Sequence, residues 1–151
     1  MLIDLAAVEA YLHEHIPITH AMGLKVISYD NDGVRLWAPL EPNLNHRQTA
    51  FGGSVSALGI LAGWTLLHIR LREAGGLVQL VIQHSETDYT GPVDTDFTAV
   101  CSLPKARAWQ KFEEAFHRYG KARIHLESLI EAGGRTLARH QGAYVAVRRQ
   151  A

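Results

Sequence analysis

The stretch FGGSVSALGILAGWTLLHI, running from Phe51 to Ile69, decides how the rest of the chain must fold. Its nineteen residues carry no formal charge, and Arg70, Arg72 and Gly75-Gly76 close it. An apolar run of about 20 residues can cross a bilayer, and Gly59 and Gly63 have the small-xxx-small spacing of packed membrane helices. Against a lipid environment stand four glycines, two serines, a threonine and a histidine within the run. A helix apolar on all sides is equally the mark of a fully enclosed core helix, and the flanking segments supply strands with apolar faces to enclose it. The reading is therefore a core helix without a membrane span, with glycines that let strands come close.

Upstream, residues 4–15 place Leu5, Val8 and Leu12 on one helical face, with Asp4 as N-cap and Pro17 as terminator. LKVISYD (24–30) and VRLWAPL (34–40) flank the turn-forming Asn31-Asp32-Gly33, and Val34, Leu36 and Ala38 alternate with Arg35 and Trp37, so this pair reads as a hairpin. Glu41 to Thr49 has no apolar period and reads as a loop. Downstream, residues 77–90 begin apolar and end polar, and Gly91-Pro92 turns the chain into 93–103. There Val93, Thr95, Phe97, Ala99, Cys101 and Leu103 share a face. Pro104 opens a segment that reads as a short helix or a structured excursion ending at Gly120. Alternation resumes at 121–131, Gly133-Gly134 turns the chain, and Leu137, Ala143, Val145 and Val147 mark a last long strand.

The expectation is one α+β domain over residues 1–151, in which a single curved antiparallel sheet of about six strands wraps one long helix. The back of such a sheet lacks cover, which favours a homodimer joined edge to edge or a dimer of dimers. Fifteen Lys plus Arg balance fifteen Asp plus Glu in 151 residues, so no basic field points to nucleic acid. One cysteine, Cys101, excludes an intrachain disulfide, and no signal-like N-terminus is visible, which suits a reducing cytoplasm. Cys101 reads as a buried apolar thiol. His13, His15, His84, His125 and His140 lack metal-ligand spacing and read as scattered surface histidines.

Chemistry concentrates where the loop meets the helix, in Asn43-Leu44-Asn45-His46-Arg47-Gln48-Thr49-Ala50-Phe51-Gly52-Gly53-Ser54. A helix N-terminus offers unsatisfied N–H groups and about half a positive charge, and glycines there admit a ligand to the backbone. Such donors would stabilise the oxygen of a thioester carbonyl turning tetrahedral, as an oxyanion hole does; the other reading of Gly52 and Gly53 is that they only allow tight packing of the helix start. Asn43, Thr49, Phe51, Ser54 and, from the third strand, Tyr89 are the candidate substrate contacts.

The order of elements, with Pro42-Asn43-Leu44-Asn45-His46, Thr49-Ala50-Phe51-Gly52-Gly53-Ser54, Tyr89 and Pro92, resembles the hotdog-fold thioesterases, most closely the YiiD C-terminal-domain type. The resemblance runs from about Ile16 to Val147. It implies hydrolysis of acyl-CoA or acyl-carrier-protein thioesters without metal or prosthetic group, at sites shared between two subunits. It also implies that Asn45 orients the thioester or the attacking water and that the Gly52 N–H, with Gly53 beside it, faces the carbonyl.

One departure stands out. Phenylacetyl-CoA-type relatives carry an Asp or Glu about two turns into this helix, near Ile60 here, and no acid lies between Phe51 and Ile69. The substitutes are His46, which titrates near pH 6.5 in its ordinary state, and Glu86 or Asp88 on the third strand. If Ser85, Thr87 and Tyr89 face the helix, Glu86 and Asp88 face away. Ser54 and Ser56 lack the trailing glycine of a nucleophile elbow. The leading expectation is a hydrolase in which Gly52 or Gly53 polarises the carbonyl, Asn45 orients, and His46 or Glu86 activates water. A non-catalytic acyl-CoA or acyl-carrier-protein binding module is the alternative, and a hydratase ranks last. Leu58, Leu61, Trp64 and Leu67 are candidates for an acyl tunnel, and Arg135, Arg139, Arg148 and Arg149 for coenzyme A phosphates.

Overall fold

The computed structural model describes residues 2–73 and 78–149. Helix α1 covers Leu5–His15 and opens as its cap residue requires, with the Ala7 N–H donating to Asp4 Oδ1 at 3.1 Å. It buries Val8 and Leu12, and the Val26 N–H donates to Glu9 Oε1 at 2.9 Å, fastening the helix to the first strand. Pro17 ends α1 but does not begin a loop. It starts a further turn, α2 at Ile18–Ala21, because proline is pre-set for a first helical position and the Thr19 hydroxyl donates back to the Ile16 carbonyl.

Strands β1 (Lys25–Asp30) and β2 (Gly33–Ala38) form the hairpin, and Val34, Leu36 and Ala38 are all fully buried. Gly33 has φ +105°, and a Cβ there would lie 2.0 Å from the Cys101 carbonyl oxygen, so only glycine fits this turn. A short 3₁₀ turn, Glu41–Asn43, then leads to the central helix α3, Gly52–Glu73, about 33 Å long at 1.5 Å per residue. The remaining elements are β3 (Val78–Tyr89), β4 (Phe97–Cys101), α4 (Ala106–Tyr119), β5 (Lys121–Ala132) and β6 (Arg135–Arg148). All six strands form one antiparallel sheet in the order β1-β2-β4-β5-β6-β3, and α3 packs on β2, β3, β4, β5 and β6. This is the hotdog arrangement, α+β, that the resemblance implies.

The uncharged helix is thus a core element. Its span Gly52–Arg72 has the length and hydropathy to cross a bilayer, yet 67% of its most apolar stretch is buried inside the fold. Gly59 and Gly63 explain their spacing. A Cβ on Gly59 would stand 2.7 Å from His140 Cβ, and one on Gly63 would stand 2.4 Å from the Tyr144 hydroxyl, so the two glycines seat α3 directly on β6. Tyr144 completes the seat by donating to the Ile60 carbonyl at 2.8 Å. The expected helix stop at Gly75-Gly76, and Leu77 of the third strand, lie outside the described residues.

Two strands differ from their sequence reading. The stretch 93–103 is a strand only over Phe97–Cys101, because its first residues serve the loop before α3. The Val93 carbonyl accepts from Ala50 N–H at 2.7 Å, and Asp96 Oδ1 accepts from Leu40 N–H at 2.8 Å. On β6 the apolar residues Ala143, Val145 and Val147 lie on the outer face. The inner face carries His140, Gly142 and Tyr144, which touch α3 or β3. His140 is therefore no surface histidine: it is fully buried. The segment after Pro104 resolves as a helix with buried Trp109 and Phe112, ended by Gly120 in the left-handed region at φ +69°.

Candidate active site

The loop before α3 is organised by two asparagines. Asn43 is buried, and its Nδ2 donates to the Met22 carbonyl at 2.9 Å and the Pro39 carbonyl at 2.7 Å, while its own carbonyl accepts from Phe51 N–H. Asn45 closes the next turn. Its Oδ1 accepts from the N–H groups of Arg47 (2.8 Å) and Thr49 (3.1 Å), and its Nδ2 donates to Thr49 Oγ1 at 2.8 Å. Both side chains hold the loop in shape. Gln48 takes φ +64° inside this turn, and His46 stands exposed at its rim.

This scaffold delivers the helix start to the surface. The Ser54 and Val55 N–H groups already donate to the Phe51 carbonyl at 2.9 and 3.1 Å. The first two helical N–H groups, those of Gly52 and Gly53, have no acceptor among the described residues, as the geometry of a helix N-terminus dictates. Exposed Tyr89 stands beside Gly52 and exposed Phe51 beside Gly53. A Cβ on Gly52 would meet the Tyr89 hydroxyl at 3.5 Å, an ordinary contact, and Tyr89 donates to the Gly52 carbonyl at 2.7 Å. Thr49 is spent on Asn45, and Ser54, half-buried, lies in the first turn of the helix.

Strand β3 is a free sheet edge beside α3, and its inner face continues the polar surface. Tyr89 meets Gly52, and Thr87 Oγ1 shares a 3.0 Å hydrogen bond with Ser56 Oγ. Ser85 Oγ shares one of 2.8 Å with His140 Nε2. Further along, Trp64 Nε1 donates to the Leu80 carbonyl at 3.3 Å, where the inner face of β3 turns apolar with Leu80 and Ile82. A bulge between Ile82 and His84 reverses the alternation, which is how Leu80, Ile82, Ser85, Thr87 and Tyr89 all come to face inward. Glu86 lies on the other face with its carboxylate 3.8 Å from His84 Nε2. Asp88 has the same parity.

The remaining candidates separate. Leu58, Leu61 and Leu67 are closed into the core, and only half-buried Trp64 of the four reaches β3, at the Leu80 carbonyl. Arg135 and Arg148 terminate β6 at opposite ends; Arg139 lies 3.8 Å from Glu127, and Arg148 donates to the Phe116 carbonyl at 3.1 Å, so the four arginines form no single patch. Cys101 is buried and its thiol is pushed up to about 11 by that burial. What the sequence reading missed is the Ser85–His140 pair, because the only signal, a histidine at an inner strand position, required knowing the face of β6. Burial pushes the His140 ring down to about 4, with Glu86 acting weakly the other way.

The comparisons agree with this architecture. The family model described as "Putative thioesterase (yiiD_Cterm)" matches residues 5–148. Among solved structures, a protein of unknown function from Chlorobaculum tepidum is 32% identical, covering 95% of this chain and 94% of its own, with a TM-score of 0.89. A putative thioesterase from Shewanella oneidensis matches at 24% identity and TM-score 0.86, over 95% and 96% of the two chains. A Pseudomonas aeruginosa protein, PA5026, described as a probable thioesterase of unknown function, matches at 21% and 0.83 over 99% of both. The last two likenesses establish the fold. The match to the family model across nearly the whole chain establishes the rest: this chain belongs to the YiiD C-terminal putative thioesterase family.

Proposed function

We propose that the protein hydrolyses acyl thioesters of coenzyme A or an acyl carrier protein, with the carbonyl oxygen bound at the start of α3. The observation that carries this is the pair of Gly52 and Gly53 N–H groups, without an acceptor among the described residues, at an exposed helix N-terminus beside a β3 face that is polar near Tyr89 and apolar at Leu80 and Ile82. Removing one oxyanion donor typically costs about 2.7 to 4 kcal/mol in the barrier. In this reading the acyl chain lies against Trp64, Leu80 and Ile82, while Phe51 and Tyr89 border the thioester. Asn45 and Asn43 act by holding the loop that presents the two glycines, and His46 and Glu86 are the residues by which a second copy could add a base. The free β3 edge is where that second copy would join, as a homodimer or a dimer of dimers.

The test is thiol release from acyl-CoAs ranging from acetyl to palmitoyl. Turnover is expected to peak at one chain length. Asn45→Ala, which strips the acceptor from Arg47 and Thr49 N–H, is expected to lower kcat/KM by about tenfold or more with the melting temperature little changed. Unchanged activity removes Asn45 from the site. Ligand-induced thermal stabilisation with no thiol release from any acyl-CoA or acyl carrier protein selects the binding module instead.

A further inference from the structure

The inner face of β3 ends its polar run in a serine–histidine pair that nothing in the loop-and-helix site uses. We propose that Ser85 and His140 form a nucleophile and base that cleave acyl thioesters through an acyl-serine intermediate. The substrate class rests on the thioester-hydrolase reading above; the reactivity of the serine rests on geometry alone.

Ser85 Oγ and His140 Nε2 lie 2.8 Å apart, the spacing of an activated nucleophile and its base. Ser85 is exposed, whereas His140 is fully buried. The ring therefore meets solvent or substrate only through the Ser85 hydroxyl, and any proton it takes from that side must be that one. Its other nitrogen, Nδ1, is buried without a hydrogen-bond partner among the described residues. Ser128, directly opposite His140 on β5, has its buried hydroxyl beside the Cys101 thiol, and such cross-strand Cβ atoms lie about 5 Å apart. Turning that hydroxyl from Cys101 toward Nδ1 would give the Nδ1–H an acceptor and leave the Nε2 lone pair facing Ser85.

His140 Cβ presses on Gly59, about two turns into α3. The groups facing His140 are Gly59 from α3, Ser85 and Thr87 from β3 and Ser128 from β5, with Glu86 on the far face as the one charge acting on it among the described residues. A ring held near 4 is neutral above about pH 5 and so free to take the Ser85 proton.

The chemistry balances without a further reactant. Ser85 Oγ attacks the thioester carbon as its proton passes to His140 Nε2. The tetrahedral oxyanion collapses, the C–S bond breaks, and the thiolate leaves with the proton from His140. Water then attacks the Ser85 ester and gives a proton to Nε2. Collapse breaks the C–Oγ bond, returns that proton to Ser85 and releases the carboxylic acid. Ser85 lies four residues along β3 from Tyr89 and its Gly52 contact, about 13 Å. The oxyanion donors for this step would thus be the helix start of a second copy, with the β3 edges paired antiparallel.

The full-length chain is treated with an alkyl fluorophosphonate, labelled serines are mapped by peptide mass, and acyl-CoA hydrolysis is measured in parallel. Ser85 is expected to label at least about 100-fold faster than exposed Ser102, and the labelling to fall by a similar factor in His140→Asn. Ser85→Ala is expected to lower hydrolysis at least about 100-fold, and wild type quenched during turnover to carry the acyl mass on Ser85. Ser85 labelling no faster than Ser102 overturns the proposal, whether or not His140→Asn folds. Hydrolysis that persists in Ser85→Ala overturns the pair and leaves the hydrolase reading standing. Fast, His140-dependent labelling with no thioester cleaved upholds the pair and removes the substrate class.

Discussion

Gly59→Ala is expected to lower the unfolding free energy by about 3 kcal/mol and Gly63→Ala by about 2 kcal/mol, read from urea unfolding at pH 7. Helix propensity alone points the other way, since replacing an interior glycine by alanine favours a helix by up to about 1 kcal/mol. Close packing decides the sign. The Gly59 methyl would stand 2.7 Å from His140 Cβ, an atom fixed to the backbone of β6, so helix and strand must separate by about 1 Å to reach ordinary contact. The Gly63 methyl meets the end of the Tyr144 ring at 2.4 Å, and that ring is fully buried and tied to the Ile60 carbonyl. One shift of α3 relieves both contacts, so the double variant should cost less than the sum. Alanine variants as stable as wild type would mean that α3 does not rest on β6 at these residues.

Lowering the pH from 7 to 4.5 is expected to remove about 5 kcal/mol of stability, comparable to the whole margin of a small domain. Two buried histidines carry this. Burial pushes His140 to about 4, and burial, Arg72 and His15 together push His68 to about 4. Each ring stays neutral in the folded protein while the unfolded chain takes up a proton near 6.5. The stability is therefore complete above about pH 6.5 and is lost as pH falls toward 4. At pH 4.5 each histidine accounts for about 2.5 kcal/mol, at about 1.36 kcal/mol per unit. His68 stacks against Tyr11 and Trp64 with ring centroids 4.5 and 5.0 Å away, so His68→Phe keeps the stack. That variant should lose about half of the pH dependence, and a full dependence in it would detach the effect from His68.

Much of the fold was legible because local rules and burial agree in this chain. The Asp4 cap, the Asn31-Asp32-Gly33 turn and the alternation of Val34, Leu36 and Ala38 each have a local physical cause, and each is realised as read. The helix over 52–73 announced itself by its lack of charge. The glycine pair at the helix start was also legible, because two glycines after a polar loop are visible without coordinates.

Other features depended on partners distant in sequence. Val93 reads as strand until its carbonyl is seen to serve Ala50, and α2 exists because Pro17 begins a turn as readily as it ends one. The bulge at Ile82–His84 shifts the parity of β3, so a period-two reading of residues 78–89 cannot keep both halves of the strand on the correct face. On β6, Ala143, Val145 and Val147 look like the core set, yet the face that meets α3 carries His140, Gly142 and Tyr144. By itself the sequence determined an uncharged core helix, strands to surround it and a glycine pair at the helix start after a polar loop, because charge, glycine and alternation are properties of neighbours along the chain. Only the tertiary structure decided that Gly59 and Gly63 seat that helix on His140 and Tyr144 and that Ser85 meets a buried histidine, because strand register and bulges bring together residues 55 or more apart in sequence.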